Sequence, residues 1–135
     1  MAETLARDLL ARRLEADPEA FGFTVGSAGV SAGNGSPASG QAVEVMATRG
    51  LDLSGHGSRT ARADLVAEAD HVYCLTAAHR DLLVHALPPG AAEHVELLDP
   101  DGRDVPDPFG APVPIYQACA EAMLEMLERR ADEWA

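Results

Sequence analysis

Two short β-prone runs, residues 71–75 (His-Val-Tyr-Cys-Leu) and 94–98 (His-Val-Glu-Leu-Leu), are each set between stretches with helical spacing. The first is too short and too β-prone for a helix and reads as a buried strand, and the second reads as a last strand. A third extended run covers residues 23–30 and leads into Gly33-Asn34-Gly35-Ser36-Pro37, a loop by composition. Around these runs, residues 3–16 place Leu5, Leu9, Leu10 and Leu14 on one helical face, with Arg7, Asp8, Arg12 and Arg13 on others. Asp17-Pro18 ends that helix. A second helix is expected from Pro37 to a closing Gly50, and a short one over 61–69. Another spans 77–86 and stops before Pro88-Pro89-Gly90. The last, 115–130, is amphipathic through Cys119, Ala122, Met123, Met126 and Leu127. Strands alternating with helices predict right-handed βαβ crossovers and a parallel sheet covered by helices on both faces. The 135 residues suit one domain, 1–135. Three strands are visible where a doubly wound sheet needs a further, central one, so the missing strand is expected ahead of residue 1.

Charge narrows the partners. With 22 acidic against 10 basic residues the net charge is −12, which repels phosphate backbones and argues against nucleic acid. An anionic substrate needs a locally electropositive pocket. No apolar run approaches the roughly 20 residues of a membrane span, and the charged first segment has no signal-peptide core. The expectation is a soluble cytoplasmic protein. Cys74 and Cys119 form no C-x-x-C pair, and the five histidines show no i, i+4 pairing, so neither a metal nor another cofactor is expected.

In open parallel sheets ligands sit beyond the carboxyl ends of the strands. Three segments reach that edge: Ser27-Ala28-Gly29, the run from Thr76 to His79, and residues 99–110. In the last, Asp107 stands between Pro106 and Pro108. The prolines fix the backbone and remove two amide donors, which suits a rigidly presented general acid and equally an ordinary Asp-Pro turn. His56 belongs either to a polar turn or to the hydrogen-bonding support of a catalytic loop. Ser27 is either a cap or an orienting hydroxyl. Cys74 inside an apolar strand and Cys119 on an apolar helix face lack the electropositive, accessible setting of a reactive thiolate, and read as core residues.

Taken in order, these segments resemble the low-molecular-weight protein phosphatase family. The matching blocks are Ser27-Ala28-Gly29-Val30; residues 42–50 with Leu51-Asp52-Leu53-Ser54-Gly55-His56-Gly57-Ser58-Arg59; and Ala69-Asp70-His71-Val72-Tyr73-Cys74-Leu75-Thr76 with His79-Arg80. Asp107-Pro108-Phe109-Gly110 with Tyr116 follows, and Met1-Ala2-Glu3 resembles the start of the helix after the family's phosphate loop. The resemblance implies a flavodoxin-like three-layer α/β fold with strand order 2-1-3-4, the first, central strand missing here. It implies hydrolysis of a phosphorylated protein, on tyrosine or arginine, through a phosphocysteine. It also implies a cysteine in a C-x5-R loop whose amides cradle the phosphate, and an aspartate that protonates the leaving group. On that basis Asp107 is the general acid, Phe109 a wall of the substrate cleft, and Ser27 and His56 supports of the loop. Cys74 and Arg80 have the C-x5-R spacing, but the run lies across a strand end, has no glycine-rich cradle and matches a different family block. The nucleophile loop is therefore expected to be absent from this chain and the isolated chain inactive. The alternative is a catalytically inactive, truncated paralogue acting as a binding domain or without function. A receiver-like or flavin-binding module is disfavoured, since Asp99, Asp101 and Asp104 share one loop.

Overall fold

The computed structural model describes residues 1–29 and 35–134. Five α-helices and two strands follow one another as α1 (Ala2–Leu14), α2 (Gly40–Thr48), α3 (Ala63–Glu68), β1 (Val72–Cys74), α4 (Ala77–Ala86), β2 (Val95–Leu97) and α5 (Val113–Arg130). Short 3-10 turns at Pro18–Phe21 and Ala131–Glu133 complete the order.

The strands are parallel, with Val72 opposite Val95, Tyr73 opposite Glu96 and Cys74 opposite Leu97. α4 is their crossover. Because side chains alternate across a strand, each face of the pair meets a different helical layer. Cys74, Val95 and Leu97 pack with Val66 of α3 and Leu83 of α4. Tyr73, Leu75 and Leu98 join Leu5, Val45, Met46, Ala120 and Met123 from α1, α2 and α5. The result is an α/β fold of three layers, helices on both faces of a small parallel sheet. Apolar burial on this scale, Met46 and Ala120 at 0% exposed, is the main stabilising term.

Local chemistry moves several boundaries from where periodicity puts them. α1 ends at Leu14 because Glu15 turns left-handed at φ 53°, and its cap N–H bonds the Ala11 carbonyl. Asp17 then caps the 3-10 turn through the Glu19 amide. α2 starts at Gly40, not Pro37, because Ser39 caps it by accepting from the Ala42 amide at 3.3 Å. Pro37 lies instead in an isolated antiparallel bridge with Gly57. Gly50 is left-handed at φ 73°, as a C-terminal glycine requires. α5 begins two residues early, at Val113 after Pro112, with Pro114 in its first turn, where its missing amide costs nothing.

Of the run expected as a strand at 23–30, residues 23–29 are described, and they alternate between half-buried and exposed. It forms no ladder. Among the described residues its backbone pairing is the single parallel bridge of Gly29 to Thr60, with Gly29 N bonding the Arg59 carbonyl at 2.9 Å. Val30 and Gly33-Asn34 lie outside the described residues.

Candidate active site

The segment Asp99 to Pro112 is irregular in path but tied at several points. Asp99 is 1% exposed; its carboxylate accepts from the Asp101 amide at 2.9 Å and from Arg103 Nε at 2.6 Å. The Asp101 amide, and then Arg103, hold that carboxyl below its ordinary range. Asp101 in turn takes a two-point bond from Arg129 at 2.9 and 3.1 Å. Asp104 caps α4 by accepting from the Ala77 amide at 2.9 Å, and buried Val105 donates its N–H to the Leu75 carbonyl at 2.8 Å. At the far end Gln41 of α2 bonds the Ala111 carbonyl at 3.3 Å.

Between these anchors Asp107 is exposed, and its carboxylate accepts from the Phe109 amide at 3.0 Å. Phe109 occupies the second position of a turn closed by Ala111 N to the Pro108 carbonyl at 2.8 Å, with Gly110 at φ 81°. That φ is the glycine position of a type II turn. The turn leaves Phe109 83% exposed, a large ring presented to solvent next to the carboxylate.

Ser27 and His56, more than twenty residues apart in sequence, meet at a third residue. Ser27 Oγ donates to Glu3 Oε1 at 3.1 Å, and His56 Nδ1 lies 3.8 Å from Glu3 Oε2. Arg59 Nη2 and Arg7 Nη1 approach the same carboxylate at 3.8 and 3.7 Å. Both arginines are held from behind: Arg59 Nε donates to the Ser27 carbonyl at 2.8 Å and Arg7 Nη2 to the Val25 carbonyl at 2.7 Å. A Cβ at Gly26 would meet the Arg59 guanidinium, which would have to shift to make room. Sequence reasoning singled out Ser27 and His56 but gave no role to Glu3, Arg7 or Arg59. A glutamate in a first helical turn reads as favourable interaction with the helix dipole, which hides its second use.

Burial pushes the Cys119 thiol up, while the Met1 amine draws it down and the Asp107 carboxylate pushes it up further. Both charges are therefore within electrostatic reach of Cys119, and Glu3 acts on the Met1 amine. Ser27 and His56 meet α1 at Glu3.

Neither cysteine has the setting of a nucleophile. Cys74 is buried in β1, and burial raises its pKa more than Arg80 lowers it. The amides that follow it are already used: Ala77 N by Asp104, His79 N by Thr76 Oγ1 at 3.1 Å, and Arg80 N by the Thr76 carbonyl at 3.1 Å. The run between Cys74 and Arg80 is the capped first turn of α4, with no ring of free amides to receive a phosphate. Among the described residues no three of His, Cys, Asp and Glu gather as a metal site, and no helix is long and apolar enough to cross a membrane.

The family profile for "Low molecular weight phosphotyrosine protein phosphatase" matches residues 1–135. The chain is 30% identical over 131 residues to a protein-arginine-phosphatase of Geobacillus stearothermophilus, covering 94% of this chain and 87% of that protein. It is 32% identical over 113 residues to the probable low molecular weight protein-tyrosine-phosphatase EpsP of Ralstonia nicotianae, covering 84% and 75%. In three dimensions it resembles the low molecular weight protein tyrosine phosphatase of T. tengcongensis, with a TM-score of 0.85 at 29% identity over 98% of this chain and 88% of that one. The YwlE arginine phosphatase of Geobacillus stearothermophilus gives a TM-score of 0.80 at 29% identity, over 97% and 83%. The chain belongs to the low molecular weight phosphotyrosine protein phosphatase family.

Proposed function

We propose that this domain serves the hydrolysis of phosphotyrosine or phosphoarginine on protein substrates, with Asp107 as general acid and a nucleophile that neither Cys74 nor Cys119 supplies. The observation that carries the reading is the Asp107–Phe109 turn: an exposed carboxyl, stiffened by two prolines, beside an exposed ring. A thiolate attacking phosphorus forms an S–P bond as the P–O or P–N bond to the leaving group breaks. Asp107 delivers its proton to the departing atom, and its carboxylate then takes a proton from the water that cleaves the S–P bond. Phe109 walls the cleft in which the substrate side chain lies. Ser27 and His56, joined through Glu3, support the phosphate-binding loop from behind.

The order 2-1-3-4 would set the first, central strand between the extended run at 23–28 and β1. Two features favour it: among the described residues β1 is bonded along one edge, to β2, and the run at 23–28 has no ladder. Two free thiols, with no disulfide among the described residues, suit a reducing, cytoplasmic compartment. The second reading is an inert binding domain; the consumed amides after Cys74 exclude that segment as a phosphate loop under either reading.

The test is p-nitrophenyl phosphate with these 135 residues alone. No turnover above buffer is expected, with Cys74→Ser indistinguishable from the parent chain. Turnover that Cys74→Ser abolishes would overturn the exclusion of that cysteine. Reading the coding DNA in frame ahead of the Met1 codon separates the two readings. An apolar strand ending in C-x5-R is expected for the enzyme; an in-frame stop there would leave the binding domain.

A further inference from the structure

Two side chains that the ion pairs and the core leave over line the same hollow. Among the described residues every other arginine is paired with a carboxylate, whereas the Arg49 side chain, at the end of α2, has neither an ion pair nor a hydrogen bond. Leu124 of α5 is half-buried and is grouped with neither apolar core, although Met123, Met126 and Leu127 on either side of it are. Both line a cavity of about 410 Å³ between α1, α2 and α5, which Leu5, Asp8, Arg12 and Leu51 complete. That volume lies in the range of small-molecule sites. None of residues 99–112 takes part in it.

The lining divides evenly between leucines and charges. Leu5 is 2% exposed and anchored in the core, and Leu51 closes the end of α2 with its amide bonded to the Met46 carbonyl at 2.9 Å. Both are therefore held in place before any ligand arrives, which spares the ordering cost of binding. Of the charges, Arg12 Nη2 meets Asp8 Oδ2 at 2.7 Å, and the two cancel. The Arg49 charge is left over, in a chain whose net charge is −12. The dipole of α2 favours a cation at its C-terminus and accounts for an arginine at this position. It gives no reason for a half-buried leucine in the same cavity.

We propose that this cavity binds a small organic carboxylate with a compact apolar body, its carboxylate on Arg49 and its body against Leu51 and Leu124. One guanidinium offers a planar fork that matches one carboxylate in both geometry and charge. A phosphate dianion fits less well: its second negative charge would face Asp8 with Arg12 already engaged. The apolar body covers leucine surface that the fold leaves in contact with water, which is the favourable term for that half of the ligand. A ligand held there touches α1, α2 and the middle of α5 together, so binding stabilises the packing of all three. The site calls for no turnover, and stands whether or not Asp107 is the general acid.

The probe is 4-methylpentanoate, titrated into the 135-residue chain with the amide shifts of Arg49, Leu51 and Leu124 followed by NMR. Acetate supplies the charge without the body, and 4-methylpentanamide the body without the charge. Saturable shifts centred on these three residues are expected, with an affinity at least about tenfold above that of either control. Arg49→Gln is expected to weaken binding at least about tenfold, the loss of a charged pair. Leu124→Ala is expected to weaken 4-methylpentanoate about fourfold or more and to leave acetate unchanged. Should Leu124→Ala fail to fold, Arg49→Gln decides alone, since that side chain is exposed and makes no bond within the described fold. An equal response to either control, an affinity unchanged in Arg49→Gln or in folded Leu124→Ala, or shifts of the same size at the other arginines would overturn the proposal.

Discussion

Trp134 Nε1 donates a hydrogen bond to Tyr73 Oη at 2.9 Å, tying the turn after α5 to the strand β1. Tyr73 passes the bond on to Glu133 Oε1 at 3.1 Å, and the Arg130 guanidinium lies 5.2 Å from the centre of its ring. Arg130 also donates to the Leu97 and Leu98 carbonyls at 2.7 and 3.1 Å, where β2 ends. Both strands are therefore fastened to the C-terminal turn, and the phenol at the centre is a reporter of that fastening.

Burial, chiefly, pushes the Tyr73 phenol up to about 12, with its bond to Glu133 adding in the same direction and the Trp134 bond opposing. A phenol in the unfolded chain ionises near pH 10. With the folded value the higher, the unfolded state gives up its proton first. The stabilising contribution is complete below about pH 10 and is lost as pH rises toward about 12. The chain contains no lysine, so no ammonium titrates across that interval. Chemical denaturation at a series of pH values is expected to show stability falling through this window, and less steeply in Tyr73→Phe. Identical slopes in the two proteins would disprove the assignment.

Cys74 offers a check on the excluded nucleophile. Burial raises its pKa, so the thiolate is scarce near neutral pH and its sulfur lies within the β1 layer. In the native chain it is expected to react with a thiol reagent only as fast as the protein unfolds, reaching full reactivity in denaturant. Rapid labelling of Cys74 in the folded state, located by peptide mass, would contradict this.

Scaffold and site separate cleanly in two substitutions. Met46 is 0% exposed among α1, α2 and α5, and Met46→Ala is expected to cost about 2–5 kcal/mol, cavity included. Phe109 is 83% exposed, and Phe109→Ala is expected to stay within about 0.5 kcal/mol of the parent in stability. Thermal unfolding of both variants measures the difference. A large loss for Phe109→Ala would mean the ring is packed, leaving no wall for a substrate.

The elements that periodicity shows are the ones whose partners repeat along the helix. α1, α4 and α5 stand close to where spacing puts them, although α4 buries Leu83 and leaves Leu82 and Val84 exposed. β1 and β2 were legible as short β-prone runs between breakers. Boundaries shifted wherever a single side chain overrode the pattern, as Ser39 did at α2. The described part of the run expected at 23–30 shows how β-propensity need not give a ladder: it pairs through the bridge of Gly29 to Thr60, and a ladder depends on distant residues. The site divides in the same way. Asp107 and Phe109 are local: two prolines and a glycine announce them. Ser27 and His56 were nominated from their places after a strand and in a polar turn. Their junction at Glu3 is long-range, and no spacing in the sequence brings residues 3, 27, 56 and 59 together. Arg7 and Arg59 went unassigned for the same reason, as solvated charges are the usual fate of arginine on a helix face or in a loop.

Asp107 is the residue on which the enzymatic reading depends. Its carboxylate is exposed and accepts from the Phe109 amide at 3.0 Å, a bond that orients one oxygen and leaves the other free. An amide in place of the acid keeps that local bond and cannot deliver a proton. In the protein carrying a C-x5-R loop, Asp107→Asn is therefore expected to lower kcat by about 10²–10⁴-fold, the usual worth of a positioned general acid. KM should change little, since the loss falls on proton transfer and leaves binding intact. The loss should shrink for p-nitrophenyl phosphate, whose leaving group needs less help than tyrosine's phenol. Steady-state kinetics on both substrates tests this directly. An Asp107→Asn enzyme with unchanged kcat on phosphotyrosine would reduce the Pro106-Asp107-Pro108 segment to an ordinary turn and leave the acid to be found elsewhere.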